Sequence, residues 1–79
     1  MTKKDLLLLL DKKTEECYKT YKQVLIQRKN DFHSLHQLEN LILNFTTKKI
    51  FFESLNLGEE EIKMYYDDIK SIDVNSMFI

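Results

Sequence analysis

QRKNDFHS, residues 27–34, decides how this chain folds. To its left, a 3-4 spacing runs through Leu7, Leu10, Thr14, Cys17, Tyr21, Val24 and Arg28, a coiled-coil-like seam. Thr14 and Cys17 make its middle weak, and Leu6, Tyr18 and Leu25 widen it into an ordinary amphipathic stripe. To its right, Leu35, Leu38, Leu41, Ile42, Phe45 and Phe52 form a second stripe at helical spacing. Asn30 and Asp31 both tolerate turn geometry, and Asp31 can cap a helix that follows it. The reading is a break at Asn30-Asp31, with antiparallel helices over about 3–29 and 32–56. Neither Gly nor Pro stands at the break, so one continuous helix is the alternative.

Gly58 ends the second helix or starts a third, over about 59–72. Glu59, Glu60 and Glu61 fall in its first turn, where the helix dipole favours acids. Ile62, Tyr65, Tyr66, Ile69 and Ile72 give it one apolar face. The last stretch, DVNSMFI (73–79), is too apolar to be simply solvated. Gly58 is the only glycine, and proline and alanine are absent, so a β protein with several tight turns is hard to build. The expected fold class is therefore all-α: a helical hairpin plus a short third helix in one small bundle. Residues 1–79 read as a single domain with no separate linker or targeting segment. A chain this short buries only about 60% of its unfolded surface, so self-association is expected to complete the bundle.

KKIFFESL, residues 48–55, shows where a partner is expected. Three consecutive apolar residues on a helix point over about 200°, too wide for one packing face. In a hairpin turning at residue 30, facing residues have numbers adding to about 60, which sets Leu6–Leu10 beside Ile50–Leu55. One covering helix is not expected to hide both clusters. The expected partner-facing residues are Leu6, Leu9 and Leu10 in the first helix and Ile50, Phe51 and Leu55 in the second. Tyr65 and Phe78 join them from the third helix and the tail. The occupant is another protein or a second copy, so a homo-oligomer is expected.

The formal charge of −1 conceals a polarity along the chain. Residues 1–30 carry eight Lys/Arg against four Asp/Glu, residues 31–50 two against two, and residues 51–79 two against seven. Opposite charge favours packing the first third on the last. Lys12, Lys13, Lys19, Lys22, Arg28 and Lys29, interleaved with Tyr18 and Tyr21, also suggest phosphate contact. Asp11, Glu15 and Glu16 interrupt that patch, and one arginine leaves little for reading base edges. A small DNA-associated transcriptional regulator is thus the alternative function.

Chemistry is sparse. His33 and His36 share a helix face and Cys17 lies within reach in a hairpin, but nothing completes a metal site. Cys17 has no activating neighbour in sequence. A single glycine excludes a Gly-rich phosphate loop, and Glu59–Glu61 with Asp67-Asp68 read as capping and solubility. No catalytic, metal or cofactor site is expected. LLLLL, residues 6–10, stops at Asp11, short of the roughly 7–15 residues of an export signal and the roughly 20 of a membrane span. The expected place is the cytoplasm, without membrane contact. Abundant Lys, Asn, Ile and Phe suggest an AT-rich source such as a low-GC bacterium or its phage. The function read from the residues is a non-enzymatic protein-protein interaction module: a small chaperone, adaptor or regulator.

Overall fold

Asn30 takes a left-handed backbone, φ 71°, the one such residue in the structure, a computed structural model that describes residues 1–78. Asparagine accepts that conformation because its short side chain can bond locally. The Asp31 N–H donates to the Arg28 carbonyl at 3.1 Å, and the Ser34 N–H donates to Asp31 Oδ1 at 3.2 Å. The break expected from QRKNDFHS is therefore real, and it separates α1 (Lys3–Gln27) from α2 (Phe32–Ser54). A capping box that the sequence reading overlooked, Thr2 with Asp5, starts α1: the Asp5 N–H donates to Thr2 Oγ1 and the Thr2 N–H to Asp5 Oδ2.

The chain turns extended at Leu55, so α2 ends two residues before the expected 56. Gly58 caps α3 (Glu59–Lys70), which also stops two residues short of expectation. The tail then forms an unforeseen short helix, α4 (Val74–Met77), capped by Asp73 accepting from the Ser76 N–H. Two of its apolar residues, Val74 and Phe78, are buried, while Met77 is exposed. Ile79, the last of the three apolar residues that end the tail, lies outside the described residues.

The helix α1 is the axis of the fold. Each of α2, α3 and α4 packs on it, whereas α2 and α3 come together through side chains such as Phe52 and Tyr65, ring centroids 4.8 Å apart. The hairpin is antiparallel in the expected register, with Asp11 beside Lys49 and Tyr21 beside Glu39. The molecule is accordingly long and narrow, 44 × 20 × 15 Å.

Having neighbours on two sides displaces the buried face of α1 from the expected seam. Leu6, Leu9, Leu10, Cys17, Thr20 and Val24 are buried, while Leu7, Thr14 and Tyr21 are only partly covered and Arg28 is exposed. Thr20 was not in the stripe. Its hydroxyl donates to the Glu16 carbonyl at 2.9 Å and lies 3.3 Å from the Asn75 side chain, which ties α4 down.

The expected attraction between the basic first third and the acidic last third takes another form. Among the described residues no ion pair joins Lys3 or Lys4 to Glu59–Glu61. Lysines of α1 instead reach the carboxyl ends of the other helices. Lys3 Nζ donates to the Glu53 and Leu55 carbonyls, 2.7 Å each, and Lys13 Nζ donates to the Ile72 carbonyl at 2.5 Å. The last turn of α2 has no basic residue of its own, so Lys3 supplies the cation that its dipole favours.

Candidate protein-interaction groove

With α3 and α4 on one flank of the hairpin, a groove between α1 and α2 is left without a covering helix. One stretch, about 370 Å³, is lined by Tyr18 and Tyr21 of α1 and by Glu39, Ile42, Leu43 and Thr46 of α2. It continues through the shared Tyr21 and Glu39 into a second stretch bounded by Leu25, Phe32, Leu35 and His36. Only α1 and α2 contribute to either. Tyr18, Leu25, Phe32 and Leu43 are exposed, and Ile50 extends the same ridge of α2 toward the open end.

The α2 wall is nearly free of charge. Between Asp31 and Lys48, Glu39 is the sole acidic or basic residue apart from two histidines. Solvated helix surfaces ordinarily carry many charges, and their depletion marks the centres of protein interfaces. Glu39 itself accepts from the Tyr21 hydroxyl at 3.1 Å. That hydrogen bond, followed by burial, pushes the Tyr21 phenol above its usual range.

The expected partner-facing residues divide. Leu6, Leu9, Leu10 and Phe78 lie in the chain's own core, a correction to the expectation that they face a partner. The reason is that α3 and α4 both dock on α1, where a single covering helix was expected. Tyr65 is half-buried against Phe52, and Leu55 is half-buried with its carbonyl held by Lys3. Ile50 and Phe51 remain exposed. Sequence reasoning did not pick out Phe32 and Leu43 as partner residues. Their signal was legible: large apolar side chains off the main stripe, on a helix surface with almost no charge to explain them.

The other candidate chemistry is dispersed. Cys17 is buried in the core while His33 and His36 are exposed on α2. Among the described residues no three His, Cys, Asp or Glu side chains come together to hold a metal ion. Among the basic residues of α1, Lys3 and Lys13 hold carbonyls and Lys19 pairs with Glu15 at the surface, while Arg28, just past the helix, pairs with Asp31. No described helix is long and apolar enough to cross a membrane. Compared with protein families, curated proteins and solved structures, the chain matches none.

Proposed function

We propose that this chain is a non-enzymatic interaction module that seats an amphipathic helix in the α1/α2 groove, as a small chaperone, adaptor or regulator would. The observation that carries this reading is the coincidence of exposed Tyr18, Leu25, Phe32 and Leu43 along one groove whose α2 wall has a single charge. Helix-in-groove recognition needs an apolar trough with anchors along it, and on the α2 ridge Leu43 and Ile50 stand about two turns apart with Phe32 about three turns from Leu43. Direct DNA binding is the competing class, and the engagement of Lys3 and Lys13 within the fold, with Asp11, Glu15 and Glu16 interrupting the basic patch, weighs against it.

The test is photo-crosslinking from a benzoyl-phenylalanine placed at Leu43 in the native cell, with the same residue at Lys63 on exposed α3 as the control. A discrete protein adduct from position 43 and none from position 63 is expected. Absence of any adduct at 43 rejects the groove as a binding site. If the purified protein instead binds generic duplex DNA with an affinity that collapses as salt rises, the nucleic-acid reading replaces this one.

A further inference from the structure

We infer that the occupant of the groove is a second copy of this chain, related by a two-fold axis running parallel to the hairpin, so that two hairpins pack face to face as a four-helix bundle. This rests on reading the groove as an interface and adds who fills it. Three observations lead to it.

The first is matching height. The hairpin register sets Asp11 level with Lys49 and Tyr21 level with Glu39. By that register, Tyr18 is level with Leu43 and Leu25 stands between Phe32 and His36. A two-fold axis along the hairpin lays α1 of one copy antiparallel over α2 of the other at unchanged height. Apolar bands therefore meet apolar bands. Glu15 likewise comes within one or two residues of the height of Thr46 and Thr47, and Asp11 stays level with Lys49, polar against polar. An axis across the hairpin at the height of Tyr18 would reverse the heights and set Asp11 against Leu25.

The second is charge. Glu39 is the lone charged side chain on the α2 wall, and Lys22, exposed on α1, stands within one residue of its height. Across the proposed axis each copy's Lys22 meets the second copy's Glu39, twice per dimer. The third is area. Tyr18, Leu25, Phe32, Leu43 and Ile50 are 53%, 49%, 70%, 65% and 65% exposed. Each leaves on the order of 100 Å² in water. Five such side chains and their polar rim approach the roughly 800 Å² per partner of a standard stable interface. That is a modest part of the 5698 Å² surface of one chain.

Sedimentation equilibrium of three purified proteins tests the inference: the wild type, Lys22→Glu and Glu39→Lys. The wild type is expected to dimerise at micromolar concentration. Each variant puts like charges at both contacts of its homodimer, so its dissociation constant should rise about tenfold or more, with helicity unchanged by circular dichroism. Mixing the two variants pairs every reversed charge with an opposite one, so dimers should return to within about threefold of wild-type affinity. An intramolecular Lys22–Glu39 contact cannot produce that recovery. Leu43→Lys, at the centre of the groove, should give a helical monomer. A wild type that stays monomeric at about 100 μM overturns the inference. Failure of the mixture to recover overturns it equally. A monomer that still crosslinks from position 43 to a different protein leaves the interaction module standing without its second copy.

Discussion

Cys17 lies fully buried, and that burial, with the neighbouring Glu16 charge, pushes its thiol up to about 11. At neutral pH only about one thiol in ten thousand is then the nucleophilic thiolate. A thiol reagent should therefore label native protein no faster than the chain opens, and label it within seconds in denaturant. Rapid labelling in native buffer would show that the core around Cys17 is not closed. Phe45 and Leu43 make a second comparison, two residues apart on one helix. Phe45 is 1% exposed, so Phe45→Ala should cost about 3–5 kcal/mol of folding stability. Leu43→Ala should change the stability of dilute, monomeric protein by less than about 0.5 kcal/mol. Urea unfolding at low concentration measures both, and equal losses would mean that Leu43 belongs to the core.

At the scale of single elements, the helix ends are unevenly finished. Asp31, Asp73 and the Thr2–Asp5 pair cap three helices, but Gly58 offers α3 no side chain. Its φ of −78° suits any residue, and an added Cβ would meet only Glu61 Oε1 at 3.8 Å. Gly58→Ser would complete a capping box with Glu61 and reduce the freedom of the unfolded chain. It should stabilise the protein by about 0.5–1 kcal/mol, seen as a melting temperature a few degrees higher. The opposite change is predicted for Lys13, whose ammonium holds the chain just past α3. Lys13→Met keeps the apolar stem and removes the donor, so it should cost about 1.5 kcal/mol. Hydrogen exchange should quicken first in α3 and α4, which dock through that contact. Uniform quickening along the chain would argue that the bundle opens only as a whole.

For the molecule as a whole, the same caps set the response to pH. Backbone donation from Thr2 lowers the Asp5 carboxyl below its usual range, and the Ser34 and Ser76 hydroxyls do the same for Asp31 and Asp73. A depressed folded value means that stability is present above the unfolded value and lost as pH falls through the folded one. Lys49 is raised by its hydrogen bond to Asp11, so its contribution is present below the unfolded value and lost as pH rises through the folded one. The urea midpoint should be flat between about pH 5 and 9 and fall below about pH 4 as the three caps protonate. An unchanged midpoint at pH 2.5 would show that these caps contribute nothing.

Much of the fold follows from residues near one another in sequence. The Asn30-Asp31 break, the capping of α3 at Gly58 and the helical stripes depend on side chains bonding their own backbone within three or four positions, which periodicity and turn chemistry report directly. The Thr2–Asp5 box is equally local, and it was legible in TKKD though passed over. The hairpin register followed too, because a short connection leaves the two helices little freedom to slide. What no local pattern carries is which flank of α1 the rest of the chain takes. Leu6, Leu9 and Thr20 are core, and Tyr18 and Leu25 are surface, only because α3 and α4 lie on one side of the hairpin. A leucine is apolar in either place. The sequence alone determined three of the four helices and the break between the first two; only the tertiary structure decided which apolar residues the chain hides itself and which it leaves exposed, because burial depends on neighbours brought in from about 50 residues away, as Lys3 at Leu55 and Thr20 at Asn75 show.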